Sequence, residues 1–321
     1  MRWRKFTMLV CAAAVAGPLA VRAQTLKVPT IGVLLTGNPD PEIFLKGFRD
    51  ALRDVGYADG QNIRLEVRSA EGKSILLPQK AAELVGLKVD VIVAALTPAI
   101  QAAKQATPDI PIVMAPAGEP VGTGLVASLA RPGGNVTGVS AATAELAGKS
   151  LELIREALPT ARRVAVLANE ADPLAKPFLE QINQGARALG LEVDTIMVRP
   201  ETPLDAVFDQ ISSKKAEALI VQGSLQQKEL FDLAIRHRLP SFSSNRQVAN
   251  TGGLMTYAAN SAEVQRGAAG YVDKILKGAR PADLPVEEAD RFEFVVNQTT
   301  AQALGITIPP EVAQQVTVRA P

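Results

Sequence analysis

The chain has 321 residues, with 34 Lys and Arg against 33 Asp and Glu, one His and one Cys. A net charge of +1 leaves no basic excess for nucleic acid, and one His with one Cys excludes zinc sites built from those residues. The same scarcity makes a Ser-His-Asp triad or a thiol nucleophile hard to assemble, while the length suffices for two domains with ample cores.

The N-terminus reads as an export signal. Arg2, Arg4 and Lys5 precede an apolar stretch from Phe6 to Val21, and Val21-Arg22-Ala23 offers small or apolar residues where a signal peptidase reads them. Residues 1–23 are therefore expected to be removed, giving a periplasmic chain that starts at Gln24. The stretch is short for a ~20-residue membrane span and is broken by Gly17-Pro18. Cys11 follows Val10, where lipid attachment wants a small residue, so a lipoprotein is the minor reading. Cleavage takes four of the 34 basic residues, so 30 oppose 33 acidic ones, and it removes the only Cys. A cysteine-free chain needs no disulfides in an oxidising compartment and cannot mispair thiols.

The elements that follow occur twice. Ile31–Leu35 is an apolar run leading through Asp40-Pro41 into a helical pattern, and Val164–Leu167 does the same through Asp172-Pro173. Asp90–Ala94 is matched by Glu217–Val221, and Ile110-Pro111 by Leu239-Pro240. In Pro41–Val55 the apolar residues Ile43, Phe44, Phe48, Leu52 and Val55 predict a helix with one face on a sheet, its Phe residues in the core. Asn62–Arg68 alternates like an edge strand, Leu76–Leu87 is helical, and Val89–Ala94 is a fully apolar strand. Thr97-Pro98 starts a helix to about Ala106, with Thr97 as N-cap and Pro98 at the first helical position. A strand at Ile110–Met114, a turn-rich segment to Gly138 and a helix from about Thr143 to Leu158 follow. Further strands are predicted near Val164, Val193, Leu219 and Pro240, a long helix over Asn260–Lys277, a strand at Phe292–Val296 and a helix at Gln298–Leu304. Each half reads strand, helix, strand, helix, strand. The fold class is α/β: two Rossmann-like lobes with parallel central sheets, whose ligands bind at the carboxyl ends of the strands.

Several motifs have plainer readings. Gly122–Ala127 (GTGLVA) matches a dinucleotide fingerprint but does not directly follow a strand, so it is read as a turn. Asn135-Val136-Thr137 is a formal glycosylation sequon in a Pro-Gly-Gly turn. His237, between Arg236 and Arg238, ends a predicted helix in solvent. No metal and no cofactor is implied. The lobes are expected at 24–141 plus about 258–284 and at 142–257 plus about 285–321, with crossings near Gly138–Ala142, Thr256–Ala259 and Pro285–Ala289. Several crossings make a multi-stranded hinge that bends along one axis.

The stretch Glu119–Ser140, EPVGTGLVASLARPGGNVTGVS, resembles a signature of ABC-transporter substrate-binding proteins with the type I periplasmic-binding fold. Tyr271–Pro285, Thr299–Pro310, Leu52–Ile63 and Val89–Ala99 look like further hallmarks, so the resemblance spans the mature chain. It implies capture of a small solute, an amino acid or related carboxylate, in the cleft between lobes by hinge closure. It also implies delivery to a membrane permease and its ATPase by a monomeric binding component. The family usually has Asp where this chain has Glu119.

Ligand contacts are expected at strand ends and helix starts, where outward N–H groups favour a carboxylate. Thr97, beside Pro98, is the leading candidate for that contact, with Thr36, Asn38, Ala117 and Gly118 completing the first-lobe wall. The matching loops of the second lobe supply Asn169, Gln222, Ser224, Ser244 and Asn245, and Tyr257 is placed against an apolar part of the ligand. Thr97, Ser224 and Ser244 have an alternative role as caps of their own helices, and Tyr257 as filler of the hinge. A secreted hydrolase or amidase using Glu42, Glu119 or Glu170 is the competing class, although no spacing pairs these acids. A ligand-sensing partner of a membrane receptor shares the same fold.

Overall fold

The computed structural model describes residues 28–37, 41–199 and 202–320; the export signal and Asn38 lie outside them. The first lobe begins with β1 (Thr30–Leu35), α1 (Glu42–Asp54), β2 (Arg64–Ser69), α2 (Leu77–Gly86), β3 (Val91–Ala95), α3 (Thr97–Ala106), β4 (Ile112–Ala117) and β5 (Val136–Ser140). β1, β3 and β4 are almost continuously apolar and buried because helices cover both faces of their sheet. β2 alternates and is only half-buried, as befits the sheet edge it occupies. On α1, Leu45, Phe48, Ala51 and Leu52 face the sheet. Gly138 has a φ of 130°, and a Cβ there would lie 2.5 Å from the Met114 backbone nitrogen. Only glycine lets β5 approach β4 so closely.

The second lobe continues with α4 (Thr143–Ala157), β6 (Arg163–Asn169), α5 (Ala175–Leu189), β7 (Glu192–Val198), α6 (Leu204–Ser213) and β8 (Ala218–Val221). It then runs through α7 (Lys228–Arg236), β9 (Ser241–Ser243), α8 (Gln247–Asn250) and β10 (Met255–Ala259). The tail is α9 (Ser261–Leu276), β11 (Glu287–Glu288), β12 (Phe292–Asn297), α10 (Gln298–Leu304), α11 (Pro310–Gln315) and β13 (Val318–Ala320).

The repeat in sequence is a repeat in space. The six-stranded sheet has the order β11-β5-β4-β3-β1-β2 and the seven-stranded sheet β13-β12-β10-β9-β8-β6-β7. The runs β5-β4-β3-β1-β2 and β10-β9-β8-β6-β7 thus correspond strand for strand. All recorded pairings are parallel except β10 with β12. The fifth strand of each lobe feeds a helix to the other: α4 packs on α5 and β10, and α9 on α1 and β4. The chain therefore passes between lobes after β5, after β10 and between β11 and β12. Hydrogen bonds from Ala289 N–H to Ser140 O at 2.8 Å and from Asn260 N–H to Arg291 O at 2.8 Å tie these passages together. Glu287 and Glu288 pair with β5, so they belong to the first sheet and not, as the expected boundary has it, to the second lobe.

Local details revise other expectations. Residue 96, not Thr97, is the N-cap of α3: Leu96 has a φ of 72°, and Thr97 is the first helical residue. Gly122–Ala127 is a turn, closed by hydrogen bonds from Thr123 N–H to Glu119 O and Leu125 N–H to Pro120 O, both 2.8 Å. Asn135 uses its amide to bind the Thr107 and Ile110 carbonyls. His237 is exposed at the end of α7, its ring 5.1 Å from that of Phe208.

Candidate functional site

The carboxyl ends of the strands in both sheets face one cleft, which encloses about 1070 Å³ of atom-free space, part of it open to solvent. From the first lobe come Leu35–Gly37 after β1, Ala95–Thr97 after β3, and Ala115, Pro116 and Gly118 at the end of β4, with Ile43 and Phe44 from α1. The second lobe contributes Asp172 and Leu174, then Gly223, Ser224 and Gln226, then Ser244–Gln247. Ala141, Ala258, Ala259 and Ser261 from the hinge, with Val264 and Gln265 of α9, close the floor.

The first-lobe wall is apolar with one polar notch. The first turn of α1 overhangs the cleft, so Phe44 is half-buried between the first-lobe core and the cavity, and Ile43 is 39% exposed. At the notch, the left-handed Leu96 turns the chain so that α3 starts at the cavity. Pro98 has no N–H, Ala99 and Ile100 N–H both reach Leu96 O, and among the described residues no acceptor meets the Thr97 N–H. The Thr97 hydroxyl accepts from Gly118 N–H at 3.2 Å. It therefore couples two cleft loops and does not cap its own helix. Thr36 likewise donates to Ala95 O at 3.1 Å.

The second-lobe wall holds the charge. Asp172 is 4% exposed, and burial pushes its carboxyl up to about 6 despite hydrogen bonds from the Ser224 side chain and Leu174 N–H. Gln222 fixes it from behind: Nε2 donates to Asp172 Oδ2 at 2.8 Å while Oε1 accepts from Asn169 N–H at 2.8 Å. Arg246, whose side chain is 18% exposed, lies 3.8 Å from Glu293 and donates to Asn250 Oδ1 at 2.9 Å. Glu293 is in turn held by Ser261 N–H and Oγ. The lining thus carries one anionic and one cationic group, a pattern that matches a zwitterion. The Ser244 hydroxyl is buried with no partner. Such a group costs about 1 to 3 kcal/mol until something bonds to it.

Of the residues singled out in the sequence, Thr36, Thr97, Gly118, Ser224, Ser244 and Asn245 line the cavity. Pro98, Ala117, Asn169 and Gln222 are buried one layer behind it. Tyr257 sits in the hinge instead, stacked on Phe292 at 5.9 Å and beside Phe294 at 6.5 Å. Sequence reading passed over Asp172, Arg246, Phe44 and Gln265. The signal for Asp172 is the Asp172-Pro173 pair that opens the second repeat, a pair that by itself marks only a turn.

Glu42, Glu119 and Glu170 do not line the cavity. Glu42 pairs with Arg49 at 2.7 Å and Glu170 with Arg199. Glu119 is half-buried beside the first passage with a φ of 43°. Its carboxyl is raised by burial first, then by Glu145 and Glu288, while Ala144 N–H opposes. It thus belongs to the turn and the hinge.

The two lobes and the cleft between them make a type I periplasmic-binding fold. The chain belongs to the ABC transporter substrate binding protein family, whose sequence profile matches residues 34–318. It is 28% identical over 287 residues to a tyrosine-binding protein of Clostridioides difficile, covering 88% of this chain and 83% of that one. A structure from Streptococcus pneumonia in complex with L-Trp is 29% identical, covers 91% of this chain and 99% of its own, and superposes with a TM-score of 0.78. A ligand-free, open substrate-binding protein with adhesive properties from Clostridium difficile is 27% identical, covers 92% and 100%, and gives 0.62.

Proposed function

We propose that the protein captures an aromatic amino acid, such as L-tyrosine or L-tryptophan, in the interlobe cleft and delivers it to a membrane permease driven by an ATPase. The observation that carries this reading is the presence of buried Asp172 and half-buried Arg246 in one cavity whose other wall is apolar. The ligand ammonium lies against Asp172, which its charge returns to the ionised form. The carboxylate is taken by Arg246 or by the free Thr97 N–H at the start of α3. Phe44 and Ile43 receive the ring, where an offset aromatic pair adds about 0.5 to 1.5 kcal/mol beyond area burial. The ligands of the two relatives named above support the choice of amino acid.

The protein is exported to the periplasm as a chain starting at Gln24. Among the described residues no helix is long and apolar enough to cross a membrane. Mass spectrometry of the secreted fraction tests the start, and a retained Cys11 carrying lipid refutes it. The ligand is tested by a thermal-shift screen of the L-amino acids. At a hundredfold over its dissociation constant a ligand adds about 2.7 kcal/mol, a shift of about 5 to 10 °C for lobes of this size. If neither aromatic amino acid moves the transition, the assignment falls.

A further inference from the structure

Three first-lobe glycines receive second-lobe side chains where a Cβ would otherwise be. Gln226 Oε1 occupies the space beside Gly37, Leu174 Cδ2 lies 2.7 Å from the Cβ position of Gly118, and Gln227 Cγ lies 3.0 Å from that of Gly72. Gly37 and Gly118 line the cavity, whereas neither Gly72 nor Gln227 does. The outer seat is a built one. Gln227 Nε2 donates to Gly72 O across the lobes at 3.0 Å, and Asn169 Nδ2 reaches Ser74 Oγ at 3.4 Å beside it.

The loop that presents Gly72 is tied down on its own side. Ala70 N–H bonds to Leu35 O at 2.9 Å, Gly72 N–H to Thr36 O at 3.0 Å, and Lys73 N–H to Ala70 O at 2.7 Å. Consecutive left-handed residues, Glu71 at φ 52° and Gly72 at φ 78°, turn it toward the second lobe. Such backbone persists only where its surroundings over-determine it. Because the loop is fastened to the cleft segment after β1, a shift of that segment is passed to the seat.

We propose that Gln227 and the Gly72 loop form a clasp that sets how far the lobes close, so that these residues determine ligand affinity without touching the ligand. The clasp is reversible by construction. Gln227 gives one hydrogen bond to Gly72 O, but its Oε1 is buried without a partner. Closure therefore gains a donor contact and leaves an acceptor unsatisfied. The ligand tips the balance, and a second-lobe side chain that cannot donate removes the gain.

Residues 24–321 contain no cysteine, so a pair can be introduced and read cleanly. A Cβ at position 72 lies 3.7 Å from Gln227 Cα, within the span a disulfide bridges. In the double variant Gly72→Cys, Gln227→Cys, oxidised glutathione should form the interlobe disulfide without ligand. L-Tyrosine or L-tryptophan should accelerate it at least tenfold. No cross-link in either condition overturns the clasp. A cross-link that neither amino acid accelerates leaves the clasp standing and removes the ligand assignment on which its role in affinity rests. Gln227→Glu, which needs no new residue at Gly72, sets a carboxylate against the Gly72 carbonyl. Calorimetry should then show affinity falling about tenfold with the ligand-free melt unchanged. Unaltered affinity overturns the clasp as an affinity determinant.

Discussion

Binding should weaken in acid because of Asp172. Its carboxyl stands at about 6 against an ordinary 3.8, chiefly through burial. A rise of about two pKa units corresponds to a bias of at most about 3 kcal/mol toward the protonated form in the empty protein. The sign for the empty protein follows from the raised value: this group's contribution to stability is present in acid and is lost as pH rises through about 6. The sign for binding is opposite. A ligand ammonium needs the ionised carboxylate, so the apparent dissociation constant should rise by a factor of one plus the ratio of protonated to ionised Asp172. That factor is about 1.1 at pH 7 and about 11 at pH 5. Arg246 and Glu293 also face this region and are paired with each other. Titration calorimetry of L-tyrosine or L-tryptophan between pH 5 and 8 measures the slope, and Asp172→Asn assigns it. The variant should bind more weakly at pH 7.5 with a flat profile. Glu119, also raised, alters the melt in the same direction, so the Asn variant is the needed subtraction. A wild-type affinity that changes less than twofold from pH 7 to 5, or an Asn variant with the same slope, refutes the role of Asp172.

Ser244→Ala should leave the empty protein as stable as before or slightly more so, because it deletes an unpartnered buried hydroxyl. Its affinity should fall by about one to two decades if that hydroxyl bonds a charged ligand group; a melt and a calorimetric titration read the two effects. Thr97→Val strands the Gly118 N–H and should lower both the ligand-free stability, by about 1 to 3 kcal/mol, and the affinity. A lowered melt with unchanged affinity assigns Thr97 to loop structure alone. Gln222→Met removes a donor from Asp172 and the acceptor of Asn169 N–H. It should destabilise by about 1 to 3 kcal/mol and move the binding midpoint to higher pH, as measured by melts and the same pH series.

The sheet core was plain in the sequence because parallel strands buried on both faces are apolar throughout, as Val91–Ala95 and Ala218–Val221 are. Helix α1 was equally plain in type, but periodicity does not tell which end of an amphipathic helix overhangs a cleft, so it does not show that Phe44 is shared between core and cavity. Tyr257 lies on a strand that crosses the hinge, and its register opposite Phe294 in β12 turns it away from the cavity. No local pattern reveals an antiparallel partner nearly forty residues away. Asp172 and Arg246 were missed for a related reason: a single charge in a loop is ordinarily solvated, and only burial by the opposing lobe makes it informative. The short α11 and β13 carry too few periodic residues to be read at all.

The exchange of helices between lobes has a consequence for how the chain must fold. Tyr271, Val272 and Ala268 of α9 complete the apolar cluster that contains Ile31, Val33, Val91 and Val113. Yet α9 begins at Ser261, after the whole of the second sheet up to β10 has been made. A ribosome adding about 5 to 20 residues per second needs roughly 6 to 25 s to get from Ser140 to Ser261. During that time α1 alone covers the face of the first sheet that α9 will share with it. The first lobe is thus completed by a segment synthesised after most of the second, and a fragment ending near residue 141 should collapse without cooperative unfolding. Neither lobe is obtainable as a single uninterrupted piece, and a domain boundary drawn for expression has to join distant segments by a designed linker.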